Sequence, residues 1–309
     1  MKVTKRQFGE KTGFTIIELL TVMSIIIILI SVLVPGLNLA RRYAKRVKQK
    51  AQFHSISVSL EQFSADHGGY PESTLLPVPP GGAPFTTGAQ RLAEALMGRD
   101  RRGYDPASSW DAQADIGSTD IYASLAKGSG PQQITDSLDR RKGPYLPDVA
   151  AFQVGELYAA AGNVYDGVGA NPPAPVLTDE YTVKNVTVGG KSVKAGSPVL
   201  YYKANVSSTV FPDPNFAILP ALAESSIINS LDNEELIALG TVKSAIVLHH
   251  FDPAFADGAG KDGRQIFYDA IRNPQMSPPW PYNQDSYILI SAGFDGIYGT
   301  PDDVFNFGE

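Results

Sequence analysis

The chain contains no cysteine among its 309 residues. That absence excludes disulfides, lipidation at a lipobox cysteine, thiolate metal sites and a Cys nucleophile. Histidine is nearly as scarce at 4 residues. Two of these, His249 and His250, are adjacent in a predicted strand, where neighbours point to opposite faces, so they are not expected to share a metal. The familiar enzyme signatures are missing as well: there is no H-E-x-x-H, no G-x-S-x-G and no phosphate-binding glycine loop. Ser124 to Lys127 fits S-x-x-K, but no S-D-N or K-T-G accompanies it, and a four-residue match arises by chance. No catalytic residue is assigned and no enzyme is expected. A nucleic-acid partner is disfavoured too, because the net charge is -6 and no basic patch carries interleaved aromatics.

One long apolar run is present. From Gly13 to Pro35 the sequence reads GFTIIELLTVMSIIIILISVLVP, enough at about 1.5 Å per helical residue to cross a hydrocarbon layer of about 30 Å. A single carboxylate, Glu18, interrupts it, and an unpaired charge in such a place is costly unless a cation meets it. Lys2, Lys5, Arg6 and Lys11 precede the run, which orients it with the leader in the cytoplasm and everything after Pro35 exported. Residues 1–13 carry a net +3, residues 41–50 hold six positive charges (Arg41, Arg42, Lys45, Arg46, Lys48, Lys50), and residues 51–309 carry 16 positive and 30 negative charges. The neck is basic and the body acidic. The neck reads either as a surface for anionic lipid headgroups or acidic neighbours, or as the solvated face of a helix. A secretory signal peptide, with Leu37 to Ala40 as its cleavage region, and a plain single-pass anchor are rival readings of the run. A signal peptide would not ordinarily carry a glutamate inside its apolar core, whereas the plain anchor places Glu18 near the interface, where it snorkels.

The junction Gly13, Phe14, Thr15, Ile16, Ile17, Glu18, behind a basic leader, resembles that of the type IV pilin family, which includes the pseudopilins of type II secretion. The resemblance implies cleavage after Gly13 by a membrane prepilin peptidase, N-methylation of Phe14, and pairing of Glu18 with the N-terminal amine of a neighbouring subunit. It also aligns Pro35 with the family's helix-kinking proline. Asp66, Gly68 or Gly69, Tyr70 and Pro71, and later Gly143, Pro144, Tyr145, Leu146, are similar to motifs of the major pseudopilin. Only the two ends of the chain carry the likeness, so residues 72–240 read as an enlarged insertion.

Beyond Pro35, apolar residues recur at spacings of 3 and 4 from Leu37 through Ala40, Ala44, Val47 and Ala51, then Phe53, Ile56, Leu60 and Phe63. This predicts one helix from Phe14 to about Ala65, amphipathic over 36–66. A helix is predicted at Arg91–Met97, a helical turn at Ile121–Ala126 and a short helix at Glu234–Leu239. Strands are predicted at Tyr181–Val188, Val199–Lys203, Ile246–Phe251 and Ile288–Ser291. The fold class is α+β: a long N-terminal helix, membrane-spanning over 14–35, packed on an antiparallel sheet in an exported head at 67–309. Trp110, Trp280 and the stretch SPPWPY at 277–282 read either as a binding surface or, the commoner case, as packed aromatics in a proline loop.

The C-terminal stretch from Ser291 to Val304 places Asp295, Asp302, Asp303 and the hydroxyl of Thr300 in a glycine-punctuated loop. Hard Ca²⁺ takes six to eight such oxygens. The spacing is not that of an EF-hand, but it resembles the C-terminal calcium loop of the major pseudopilin, which implies Ca²⁺ on Asp302 and Asp303 first, then Thr300 and Asp295. The alternative is a turn whose aspartates cap their own backbone. Asp257 and Asp262 form a second acidic loop of generic spacing, read as a solvated turn. By resemblance, then, the chain is expected to be a pseudopilus subunit. Its partners would be itself, other pseudopilins, the peptidase, an inner-membrane assembly platform and the bilayer. A surface filament for adhesion, DNA uptake or motility, and an anchored binding domain that does not polymerise, are the alternatives.

Overall fold

The computed structural model describes residues 13, 15–74, 87–98, 102–106, 139–146, 153–156, 175–181, 184–188, 191–242, 244 and 246–308. Phe14, Trp110, the 121–126 turn and Ser124–Lys127 lie outside them. The chain divides into two compact units, Met1–Ala44 and Lys45–Glu309. It is a mixed α+β protein, with a long apolar N-terminal helix and small antiparallel sheets.

Helix α1, Ile16–His67, has Pro35 inside it. It is long and apolar enough over its first part to cross a membrane, and no residue of that window is buried. The hydroxyls within the run are satisfied by the helix itself. Thr21 donates to the Glu18 carbonyl at 3.0 Å, Ser24 to Thr21 at 2.8 Å and Ser31 to Ile28 at 2.7 Å. Such back-bonding leaves no side-chain donor of the described run seeking water. The helix ends two residues later than predicted, where Gly68 takes a φ of 80° that a side chain would resist.

In the second unit, α1 buries Phe53, Ile56, Leu60 and Phe63, as the spacing predicts. The stripe does not extend back through Val47 and Ala51, which are exposed. Gln49 and Gln52 are buried instead. The Gln52 amide donates to the Thr178 carbonyl at 2.8 Å and Gln49 Oε1 accepts the Glu180 amide at 2.8 Å. The chain at 178–180 presents backbone groups that an apolar side chain would leave unpaired, so amides hold these positions. Lys48 adds an ion pair to Glu180 at 2.6 Å.

Helix α2, Gly88–Met97, begins with a Thr87–Gln90 capping box. Strands β1 (Gln153–Glu156) and β2 (Pro175–Thr178) pair antiparallel, as do β3 (Lys184–Val188) and β4 (Lys191–Ala195). The three-stranded sheet has the order β5 (Leu200–Lys203), β8 (Tyr287–Ser291), β9 (Val304–Phe305). β6 (Arg272–Asn273) and β7 (Trp280–Pro281) form a small hairpin, with Trp280 packed on the core. Short helices α3 (Pro220–Glu224) and α4 (Glu234–Ile237) flank a 3₁₀ turn at Ser230–Asn233.

The sheet is covered on both faces. Tyr201 and Leu289, paired across β5 and β8, join α1 and α2 in one cluster with Leu60, Leu92 and Leu177. Leu200, Tyr202, Ile288 and Ile290 face a second cluster with Phe251, Phe267, Tyr268 and Ile271. All five residues of β8 are buried, which is why its sequence YILIS reads as a continuous apolar run rather than an alternation. Among the described residues of 72–240, α2 and β5 build the core alongside β8.

Several predictions fail for physical reasons. Ile246–Phe251 is not a strand: it turns, leaving Ile246, Val247 and Leu248 exposed, and only His249 and Phe251 are buried. The predicted strand from Tyr181 begins at Lys184, because Tyr181 is buried in the turn after β2. Helix α5, Gly263–Ile271, was not foreseen. Asp262 caps it, accepting the Gln265 amide at 2.9 Å while Gln265 Oε1 accepts the Asp262 amide at 2.8 Å.

Two buried carboxylates tie distant segments together. Asp179, wholly buried after β2, accepts Ser197 and Tyr181 amides at 3.1 and 3.2 Å, and the Ser291 hydroxyl at 2.8 Å. Asp232 accepts the hydroxyls of Ser73 and Thr74, and the Asn229 amide at 2.9 Å. Next to it, Asn233 accepts the Ala89 amide and donates to the Tyr201 carbonyl, both at 2.9 Å. One turn therefore fastens the chain on either side of residues 75–86. Gly88 is required there, because a Cβ would lie 2.0 Å from the Tyr201 carbonyl oxygen.

Candidate functional site

Two places hold the functional residues expected from the sequence, one in each unit. In the first, Glu18 sits in the opening turn of α1. Its Oε2 accepts the Thr15 amide at 2.9 Å and the Thr15 hydroxyl at 2.7 Å, while the Glu18 amide donates back to Thr15 Oγ1 at 3.3 Å. This is a reciprocal capping box, T-x-x-E, immediately ahead of the apolar run. A helix start leaves four amides without intrahelical partners, and an anion there also meets the positive end of the helix dipole. Glu18 is thereby held by its own chain through uncharged donors. The large apolar side chains described around it, Ile16, Ile17, Leu19 and Leu20, are all more than half exposed. Gly13 lies just outside the helix and Phe14 is not among the described residues. The sequence singled out Glu18, but the role of Thr15 was missed; the T-x-x-E spacing was the signal for it.

In the second unit, residues 292–303 connect β8 to β9 and carry the acidic loop. Gly293, Gly296 and Gly299 take φ values of 65°, 77° and 91°, and a Cβ on Gly293 would lie 2.3 Å from the Asp302 carbonyl oxygen. The carboxylates are gathered by the loop's own donors. Asp302 Oδ2 accepts the amides of Phe294 at 2.6 Å and Asp295 at 3.1 Å, and its Oδ1 accepts the Thr300 hydroxyl at 2.6 Å. Those bonds hold the Asp302 pKa below the ordinary carboxylate value despite its partial burial. Asp295 accepts the Ile297 amide at 2.8 Å, and partial desolvation raises its pKa.

Asp303 differs from both. It is buried, its Oδ2 accepts the Gly299 amide at 2.7 Å, and its Oδ1 has no hydrogen-bond partner among the described residues. Desolvation pushes its pKa well above the usual range. A carboxylate in that state needs either a proton or a cation. Among the described residues, no group of three or more His, Asp or Glu side chains is gathered as a metal site.

The rear of this loop is fixed by His249. Its Nδ1 accepts the Tyr298 amide at 3.0 Å and its Nε2 bonds the Gly240 carbonyl at 2.9 Å, so the ring is neutral with the proton on Nε2. Burial lowers its pKa to about 4. The His250 amide donates to the Tyr298 carbonyl at 2.8 Å, so the backbone of one histidine and the ring of the other position the loop. Lys45, from the basic neck, lies 5.8 Å over the Phe294 ring. The other acidic loop is a turn: Asp257 accepts the amides of Ala259 and Lys261, and Asp262 caps α5.

Comparison of the chain with known protein families, curated proteins and solved structures found no match.

Proposed function

We propose that the chain is a pilin-like structural subunit, a pseudopilin of a type II secretion filament, with no catalytic role. The observation that carries this reading is a carboxylate, Glu18, in the first turn of a helix whose apolar run is left exposed among the described residues. An unpaired side of that extent calls for lipid or for other copies of the same helix, and both environments are apolar. The precursor sits in the bacterial inner membrane with its leader in the cytoplasm and its second unit in the periplasm. Cleavage after Gly13 creates a cationic amine on Phe14, which is then methylated. Until assembly, Thr15 occupies the Glu18 carboxylate; in the filament, the amine of a neighbouring subunit replaces or joins Thr15, and a charge-assisted bond is the stronger of the two.

Ca²⁺ belongs to the same reading. What supports it is Asp303, whose buried Oδ1 has no hydrogen-bond partner among the described residues and could take a hard cation. Asp302, both of whose oxygens already accept hydrogen bonds, follows it, with Asp295 and Thr300. The ion would neutralise the loop between β8 and β9 and order it.

Mass spectrometry of the mature N-terminus tests the assignment. The expected product begins at a methylated Phe14; an intact Met1, or a cut elsewhere, overturns it. Glu18→Ala should abolish filament assembly while leaving the second unit folded, and normal assembly by that variant refutes the role given to Glu18.

A further inference from the structure

A cavity of about 800 Å³ opens on the second unit, away from the acidic loop. Its size lies within the range of about 300–1,000 Å³ occupied by small-molecule and peptide-side-chain sites. Its lining includes Asp232, a buried carboxylate held in place by Ser73, Thr74 and Asn229. Three further carboxylates, Glu72, Glu224 and Asp285, are exposed around it. Lys203 is the one basic side chain among the lining residues, and Glu72 pairs with it. The cavity therefore combines a preorganised buried acceptor with an anionic rim, in a body that is itself strongly acidic.

We infer that this cavity binds an organic cation, an amine or guanidinium, whose charged group reaches Asp232 while the rim carboxylates of Glu224 and Asp285 meet the rest of the ligand. A neutral polyol would gain hydrogen bonds but would leave the rim charges uncompensated. An anion would be repelled. The charge of the ligand also acts on protonation. Desolvation raises the Asp232 pKa to about 7, with Glu72 adding repulsion; Tyr201, Tyr202 and Tyr268 from the core also act on it, and Lys203 lines the same cavity. An entering cation favours the ionised form, so binding below neutrality displaces a proton. The inference stands independently of the filament reading.

The full chain in detergent micelles is titrated by calorimetry with spermidine, with a neutral-capped peptide carrying two arginines, and with maltotetraose. At low ionic strength, at least one of the two cations should saturate a single site, with affinity rising about tenfold between about pH 6 and pH 8 and falling in high salt. A tighter peptide assigns a polypeptide as the source of the cation, and tighter spermidine assigns a free polyamine. Glu224→Gln combined with Asp285→Asn, both exposed, should weaken binding about fivefold or more with an unchanged melting curve. Asp232→Asn should abolish proton release, and the rim variant keeps the test open if that one fails to fold. The inference falls if neither cation saturates, if the rim variant binds as well as the parent, or if maltotetraose binds as tightly as the cations.

Discussion

Replacing Asp179 by asparagine should remove a pH dependence that the native carboxylate imposes on stability. Burial raises its pKa from 3.8 to about 7, against hydrogen bonds from Ser291, Tyr181 and Ser197 that pull the other way. The adjacent Glu180 adds repulsion, although Lys48 pairs with it. Because the folded value is raised, the native state holds a proton between about pH 4 and pH 7 that the unfolded chain has released. The stabilisation is complete below the unfolded value and is lost as pH rises through the folded one. Three units correspond to about 4 kcal/mol, at about 1.4 kcal/mol per unit. Asparagine keeps the shape: its oxygen can accept the two amides, and its NH₂ can donate to the Ser291 hydroxyl, which rotates to accept. Urea unfolding of parent and Asp179→Asn at about pH 5, 6 and 8 measures the difference, in which Asp232 and His249 cancel because both chains share them. The gap should shift in favour of the asparagine variant by about 2 kcal/mol or more on going from pH 5 to pH 8. Parallel stability profiles would refute the account of Asp179 as a buried carboxylate that is protonated in the native state below neutrality.

Leu60→Ala, at a fully buried position of α1 against α2 and β5, should cost about 2–5 kcal/mol in urea unfolding of the second unit. Ca²⁺ at about a hundredfold over its Kd should stabilise the chain by about 2.7 kcal/mol, and Asp303→Ala should lose that gain; identical melting with and without chelator would remove the ion from the loop.

How far the fold can be read from the residues depends on how local the cause is. Helix α1 is legible because its length and its start and stop signals agree. So is β8, whose apolar run is short and bounded. Helix α5 was obscured by the Asp and Gly residues preceding it, although Asp262 and Gln265 carried the capping signal. Ile246 to Leu248 misled in the opposite direction, since an apolar run says nothing of which residues find a surface to cover. Asp179 and Asp232 could not be recognised at all: nothing near them in sequence marks an aspartate that will meet Ser291, or Ser73 and Thr74, more than a hundred residues away. At the candidate site, Glu18 and the three aspartates were legible as types in a pattern. The orphaned oxygen of Asp303 and the positioning by His249 arise only when remote segments close on the loop.

The turn that grips Ser73 and Thr74 through Asp232, and Ala89 through Asn233, has a consequence for how this protein can vary. With both ends of the intervening stretch clamped by side chains of a third segment, the energy of the clamp does not depend on what is spliced between them. Loop-closure entropy grows by only about 0.6 kcal/mol for each doubling of length. The number of residues joining Thr74 to Ala89 can therefore change at little cost to the clamp that holds both.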